Sequence, residues 1–466
     1  MSYDLVLSSD RLVLPAGVRP GWIAVAAGRI AALGDGVPPD AAQQIDARDR
    51  LVLPGIVDSH VHIRFPGHPE RETWESGTDA AASAGVTTLV EMPISVPAVS
   101  SGDILRARVQ AVSGRSRIDY AFYAGGGSEA EDAYEAMARE GAVAFKVFMH
   151  RPQAGREHEF HGLHTTDAGA LLTSLRRLAD LGLPVCFHAE EDAILEAERR
   201  RVEREKMTGV AAHAAAHPVV AEAVAVAQVI LLGIETGARV SICHISSAWA
   251  LDLAVRAKRS GVDIHLETCP HYLAFTEQDV LRAGADGKIN PPLRTAADRD
   301  ALWQALANGA IDFIGSDHAP FTPLEKARGR DDIHLAPSGA PGIELTLPIL
   351  AAGVTAGRIG WADVARLTAA GAATFFGLSG KGALAVGGDA DLIVVDDRAP
   401  HTVRAAELQT MSRGTAGLFD GFASPVTLEQ TILRGAVVFA HGRPQGVRSG
   451  RLIRGPAADG LASGRA

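Results

Sequence analysis

Short apolar runs separated by Gly, Asp and Pro open the chain: Tyr3–Leu7, Gly21–Ala26, Arg29–Leu33 and Leu51–Leu53. They have no helical period and predict β-strands. The same texture returns at 390–395 (ADLIVV) and 430–439 (QTILRGAVVF), so strands from both ends of the chain can pair in one small domain. Between them the pattern changes. Eight strand-like apolar runs, Gly55–His62, Thr87–Met92, Ile118–Ala124, Val143–Met149, Pro184–His188, Arg239–His244, Asp263–Thr268 and Asp312–Ser316, alternate with amphipathic stretches of helix length. Alternation of that kind gives a parallel sheet, and eight repeats close a TIM (β/α)8 barrel. An open doubly wound sheet is the alternative, but no GxGxxG phosphate loop follows the first run. The expected α/β architecture is a barrel over residues 54–381 with a small β-sandwich domain formed by residues 1–53 and 382–446. The Ala-Gly-rich tail, 447–466, has no period and is expected outside the packed core, disordered or draped on a neighbour.

Composition narrows the partners. The 466 residues are 47% hydrophobic and 21% charged, an ordinary globular balance. Lys and Arg number 45 against 55 Asp and Glu, a formal charge of -10, which speaks against a nucleic-acid partner without a local basic stripe. The one Arg-rich stretch, 199–206, is interleaved with Glu196, Glu198, Glu203 and Glu205 and reads as a solvated helix face. Three scattered cysteines fit a reducing compartment rather than a disulfide scaffold. The first residues carry no signal-like apolar core, and no uninterrupted apolar run approaches about 18 residues. A cytoplasmic protein with no membrane partner is expected.

The chemistry collects at the ends of the barrel runs. Run one ends Asp58-Ser59-His60-Val61-His62, and the alternation of a strand points His60 and His62 to one side. Lys146 interrupts an apolar run; His188, His244 and Asp317 close three others. In a barrel such ends converge on the active-site face. Taken singly, a strand-end His is commonplace and an HxH pair is often packing. A lysine in an apolar strand is different, because an ammonium taken out of water is expensive unless paired or neutralised. Four imidazoles and a carboxylate form an N/O ligand set suited to zinc, with manganese, cobalt or iron possible. An ammonium cannot ligate a metal, so Lys146 must act as a neutral or anionic group. A free amine reacts with carbon dioxide to give a carbamate, whose two oxygens can bridge two metals roughly 3.5 to 4 Å apart.

The motifs PGIVDSHVHIRFPG, AFKVFM, FHAEED, CHISS, ETCPHYL, INPPLR, IGSDHAP and GGDADLIVVD together resemble the cyclic amidohydrolases of the amidohydrolase superfamily: hydantoinases, allantoinases, dihydropyrimidinases and dihydroorotases. The resemblance runs from about residue 3 to about residue 445. It implies a binuclear metal TIM barrel with a terminal β-sandwich, assembled as a homodimer or homotetramer. By position, His60, His62 and Asp317 would hold the more buried metal, His188 and His244 the more exposed one, and carbamylated Lys146 both. Two metals lower the pKa of a bridging water from about 15.7 toward about 7. The resulting hydroxide would attack the ring carbonyl while Asp317 serves as general base and then general acid.

Which ring is opened rests on fewer residues. Arg64 and Pro291-Pro292-Leu293-Arg294 resemble dihydroorotases, and Arg64 with His318 would suit an anionic substituent. Met92-Pro93-Ile94-Ser95 departs from the Met-Pro-Asn-Thr of dihydroorotases and from the Met-Pro-Leu-Asn-Ser of allantoinases, and looks most like L-selective hydantoinases. The expected substrate is a hydantoin-like or allantoin ring; a dihydroorotase, a non-catalytic assembly protein on the same scaffold and an acyclic amide hydrolase are the alternatives. Candidate substrate contacts are Arg64, Ile94, Ser95, Asn290, His271 and His318. His217-Pro218 stands where relatives often have Arg-Pro, and 322–337 is long enough for a lid, although a plain surface loop fits as well.

Overall fold

A computed structural model describes residues 3–458. Strands β1 (Tyr3–Leu14), β2 (Gly17–Ala26), β3 (Arg29–Gly34), β4 (Ala41–Asp46) and β5 (Leu51–Pro54) come first. Eight more follow: β6 (Ile56–Val61), β7 (Val86–Glu91), β8 (Asp119–Gly125), β9 (Ala144–Phe148), β10 (Val185–His188), β11 (Val240–Ile242), β12 (Ile264–Thr268) and β13 (Phe313–Ile314). The chain ends through β14 (Leu392–Asp396), a ribbon of β15 (His401–Thr402) and β16 (Ala423–Ser424), then β17 (Thr427–Leu433), β18 (Ala436–Ala440) and β19 (Arg443–Pro444).

Strands β6 to β13 pair in sequence order, each parallel to the next, as a TIM barrel requires. All eight coincide with the apolar runs. Between β13 and β6 the seam is closed by hydrogen bonds at the C-terminal ends of the strands: His62 N donates to the His318 carbonyl at 2.8 Å, Ser316 N to Asp58 Oδ1 at 2.9 Å and Ser316 Oγ to the His60 carbonyl at 3.3 Å. Gly315 permits that approach, since a Cβ there would lie 2.6 Å from His60 Cβ and 2.7 Å from Ser59 Oγ.

The terminal strands form one nine-stranded sheet in which β1 is the branch point. It pairs antiparallel with β2 along its length, parallel with β4 over Tyr3–Ser8, and parallel with β5 at Arg11–Leu12, with a bulge between Ser9 and Leu12. Buried Leu5, Leu7, Ile23, Val52, Leu392 and Ile432 fill its interior. Two details differ from the sequence reading. The run 430–439 is a hairpin, β17 and β18, turned at Arg434 and Gly435 in left-handed backbone (φ 46° and 77°). Strand β4 (AAQQID) escaped notice because it is mostly exposed and carries almost no branched apolar residues.

Barrel and terminal sheet are tied by a buried charge cluster. Lys381 Nζ meets Asp119 at 2.6 Å, Asp391 at 2.7 Å and Asp389 at 2.9 Å, and Arg434 adds a second cation on Asp119. Burial alone would weaken the ammonium; the aspartates outweigh it and hold Lys381 above the usual lysine range. Removing the cation leaves buried carboxylates uncompensated, so Lys381→Met is expected to cost about 3 to 5 kcal/mol of stability in urea unfolding.

The tail departs from expectation. Residues 448–458 strap the barrel of their own chain: Arg448 makes a bidentate pair with Asp79, and Tyr120 N donates to the Arg451 carbonyl at 3.0 Å. Ile453 N donates to the Tyr120 carbonyl at 2.7 Å. Its glycines are close-approach positions, since a Cβ on Gly450 or Gly455 would sit 1.9 or 2.1 Å from a barrel carbonyl oxygen. Backbone pairing and glycine contacts leave no hydrophobic period, which is why the pattern misread this segment. The rest of the predicted tail, 459–466, lies outside the described residues.

Among the described residues one helical stretch, Val210–Thr236, is long and apolar enough to cross a membrane by length and composition. It is a barrel helix pair: Ala221, Ala225, Val226, Val229 and Gly233 are buried, and helix Val219–Thr236 packs on helices Ala248–Arg259 and Ala168–Asp180.

Candidate metal centre

The strand ends deliver their side chains to one point. His60 Nε2 and His62 Nε2 lie 3.3 and 3.2 Å from Asp317 Oδ1, and one donor atom from each falls within 4.8 Å of the others. The His244 ring centroid is 5.3 Å from that of His60 and 4.6 Å from that of His188. Lys146, fully buried on β9, has no hydrogen-bond partner for Nζ, which sits 5.1 Å from the Phe148 ring. His244 (φ 38°) and Asp317 (φ 48°) both occupy left-handed backbone, a conformation that non-glycine residues hold only where the surroundings impose it.

Two carboxylates orient the imidazoles. Glu267 Oε1 accepts from His60 Nδ1 at 2.7 Å while Ser59 Oγ donates to Oε2 at 2.7 Å, leaving His60 Nε2 to face Asp317. Glu190 Oε2 lies 2.7 Å from His188 Nε2, and Oε1 lies 2.9 Å from His217 Nδ1. Carboxylate–imidazole pairs of this kind fix ring orientation and raise ligand basicity at metal sites. Glu190→Ala is therefore expected to weaken metal binding about 10- to 100-fold, measured by chelator competition, with the barrel's circular dichroism unchanged.

Burial sets the protonation states. It pushes His60 down to about 4 and lowers His62, His188 and His244, so all four imidazoles are neutral at pH 7, the form that ligates. It pushes Asp317 well above the carboxylate range and Glu267 up to about 7. A buried carboxylate of this kind stays ionised only beside positive charge. Buried atoms without partners, Lys146 Nζ, His62 Nδ1 and His244 Nδ1, stand in the same cluster. Neutral imidazoles, a carboxylate in need of a cation and orphaned nitrogens together fit metal ions.

A cavity of about 80 Å³ opens over these groups, with Arg64, Ile94 and Asn290 in its wall. Three other expected substrate contacts do not line it. Ser95 is buried and donates to the Arg64 carbonyl at 3.0 Å. His271 packs on Tyr272 with ring centroids 4.3 Å apart. His318 is fully buried; its Nε2 faces Glu72 at 3.7 Å and its Nδ1 accepts from Ile343 N at 3.4 Å. The chain turns over at Asp317, so the next side chain points away from the cavity.

Residues 51–438 match the amidohydrolase family. The chain belongs to that family. Over 97% of its length this amidohydrolase is 35% identical to an allantoinase of Rubrobacter xylanophilus, covering 98% of that protein. It is 32% identical to an L-hydantoinase of Paenarthrobacter aurescens over 94% of this chain and 96% of that one. Among solved structures, the L-hydantoinase (dihydropyrimidinase) from Arthrobacter aurescens superposes with a TM-score of 0.92 at 31% identity, covering 97% of this chain and all of that one. The dihydropyrimidinase from Brevibacillus agri gives 0.87 at 27% identity, covering 97% and 98%. The family is metal-dependent, in keeping with the ligand-like groups of the amidohydrolase described here.

The site of this amidohydrolase also contains residues that the sequence reading left unassigned. Glu267 and Glu190 stood inside quoted motifs, at the ends of β12 and β10, and a search for carboxylates beside the candidate ligands would have raised them. His150, Gln153 and Arg156, in the loop after β9, line the cavity and carried no signal. The stretch 322–337 is pinned from below: Lys288 Nζ donates to the carbonyls of Ile333 and Ala336, and Lys326 Nζ to those of Ala285 and Lys288. Beyond it Ser338 and Gly339 reach the cavity wall.

Proposed function

We propose that this amidohydrolase opens the amide bond of a five-membered cyclic ureide, a hydantoin-like or allantoin ring. Its family and the names of its relatives make it a metal-dependent cyclic amide hydrolase. The observation that carries the reading is the convergence of His60, His62, His188, His244 and Asp317 around an unpartnered, fully buried Lys146. His60, His62 and Asp317 would hold one ion, His188 and His244 a second, and Lys146, as its carbamate, would contact both. Zinc suits this N/O set best. Two such ions supply a water acidic enough to attack at neutral pH and a Lewis acid for the amide carbonyl.

The chain's own residues do the rest. Asp317 Oδ1 takes the proton of the attacking water and delivers it to the leaving amide nitrogen. Asn290 Oδ1, buried without a partner in the cavity wall, accepts from a ring N–H, a donor that ureides present. Ile94 gives the ring an apolar wall where a carboxylate-gripping amide would favour dihydroorotate. A non-catalytic role fits poorly with six filled ligand positions.

The deciding experiment is ring opening by metal-loaded protein across hydantoin, 5-substituted hydantoins of both hands, allantoin, dihydrouracil and dihydroorotate. Turnover led by hydantoins or allantoin is expected; a clear preference for dihydroorotate overturns the reading. Elemental analysis should find close to two ions per chain. Three free, buried cysteines suit a cytoplasmic setting. The apolar outer positions Val224, Leu231, Ile234 and Trp249 support assembly as a homodimer or homotetramer.

A further inference from the structure

Two strips of the cavity wall come from separate parts of the chain: Asn290 from the segment before helix Ala296–Ala307, and Ser338 with Gly339 from the end of the stretch 322–337. Each strip is fixed on its own outer side. The Ile289 carbonyl accepts from His213 Nε2 at 2.9 Å and the Pro291 carbonyl from Tyr272 Oη at 2.6 Å, so Asn290 is held on both flanks. Past Gly339, Ala319 N donates to the Ala340 carbonyl at 2.9 Å. Gly339 itself has φ 138°, and a Cβ there would lie 2.7 Å from Ala319 Cβ.

Lys288 joins the two strips to each other. It is 5% exposed and stands two residues before Asn290, outside the cavity lining. Its Nζ donates to the carbonyls of Ala336 at 2.6 Å, Ile333 at 2.9 Å and His334 at 3.4 Å. Its own carbonyl accepts from Gly339 N at 2.9 Å and from Lys326 Nζ at 3.2 Å. Among the described residues the ammonium meets no carboxylate within 4.0 Å. Burial lowers Lys288 to about 8, which leaves it charged at pH 7. An ammonium buried against carbonyls alone is an expensive way to hold a loop down. What it gives that apolar packing does not is direction, because it turns the carbonyls of one segment toward a single point.

The far side of that segment is anchored as well. Ile333 is 1% exposed and packs with Val202, Ala212 and Ala216, and its N–H donates to the Thr208 carbonyl at 2.9 Å. Gln153, a third part of the cavity wall, donates through Nε2 to the His334 carbonyl at 3.0 Å.

We propose that Lys288 is a positioning residue for the substrate: its ammonium sets Ser338 and Gly339 against Asn290, which makes 322–337 a fixed wall of the cavity and not a swinging lid. The proposal rests on the ring-opening reading above and adds a residue outside the cavity that governs how the ring is bound. None of the Lys288 hydrogen bonds reaches a candidate metal ligand, so its influence falls on binding and leaves the hydrolytic step in place.

The test measures kcat and KM separately for metal-loaded, full-length wild type, Lys288→Met and Lys288→Arg on whichever of hydantoin and allantoin the wild type opens faster. Lys288→Met keeps a long side chain and removes the ammonium. It should raise KM about tenfold or more while kcat stays within about threefold, with the metal content of wild type. Lys288→Arg, which keeps a cation with several donors, should recover much of the lost affinity. A lysine that only stabilises the fold gives another pattern, a lower unfolding midpoint with KM unchanged in the folded enzyme, and that result overturns the proposal. So does a fall in kcat or metal content that leaves KM where it was. If Lys288→Met does not fold, Lys326→Met, which removes one donor from the Lys288 carbonyl, should still raise KM at least about threefold, and an unchanged KM overturns the assignment. If the wild type opens neither ring, the ring-opening reading fails instead. Hydrogen exchange over residues 333–339 then decides the clamp: faster exchange in Lys288→Met upholds it, and equal exchange overturns it.

Discussion

Lys146→Ala should leave a folded barrel with almost no turnover, a loss of at least a thousandfold, or about 4 kcal/mol of transition-state stabilisation. The side chain sits on β9 with its nitrogen unpartnered, so truncation breaks no protein hydrogen bond. The fold bears the truncation as it bears other core cavities, at a cost of about 2 to 5 kcal/mol. What it loses is the group best placed to join the two halves of the ligand set, and the metal content should fall well below two ions per chain. Lys146→Met separates the causes, because it retains volume and removes the amine. Added short carboxylic acids should restore part of the activity of the alanine variant by occupying the vacated space. Full metal content with a rate within about tenfold of wild type would remove Lys146 from the centre.

Asp317→Asn should do nearly the reverse, retaining most of the metal and losing the rate. Asparagine tolerates the left-handed backbone that Asp317 adopts (φ 48°), so the substitution is conformationally silent. It keeps an oxygen near His60 and His62 but cannot carry a proton. General acid–base groups contribute about 10²- to 10⁴-fold, so kcat should drop by that factor. The ascending limb of the pH–rate profile should vanish with it. Metal analysis and circular dichroism on the same sample distinguish this outcome from unfolding, and a rate near wild type would exclude the proton-transfer role.

The two variants probe residues that were legible in the sequence for a physical reason. A parallel barrel buries its strands on both faces, so each strand reads as an apolar run and a charged residue at its end stands out. His60, His62, Lys146, His188, His244 and Asp317 were all visible in this way. Groups that act from loops or from behind the ligands were not. Arg156 lies in an irregular segment without period, and His318 was placed on the wrong side because a single left-handed residue, Asp317, reverses the direction of the next side chain. Glu267 and Glu190 follow the strand-end rule but hydrogen-bond to the candidate ligands His60 and His188, and a carboxylate beside a histidine has no sequence signature of that pairing. The tail failed to register for another reason: it packs mainly through backbone hydrogen bonds and close glycine contacts, and its few packed side chains, Leu452 and Ile453 among them, are too sparse to make a hydropathy period.

That packing bears on how the protein is made. Tyr120 N and O are satisfied by Arg451 and Ile453, while Asp119 meets Lys381, Arg434 and the Arg451 amide. Every one of these partners is synthesised long after β8. A nascent chain emerging N-terminus first can form the early strands, yet Asp119 stays uncompensated until Lys381 and Arg434 have followed, and the main-chain edge stays open until residue 453 has left the ribosome. Completion of the barrel floor is thus coupled to synthesis through residue 453. Chains released early, even ones containing every candidate ligand, would carry an unfinished edge for chaperones and proteases to find.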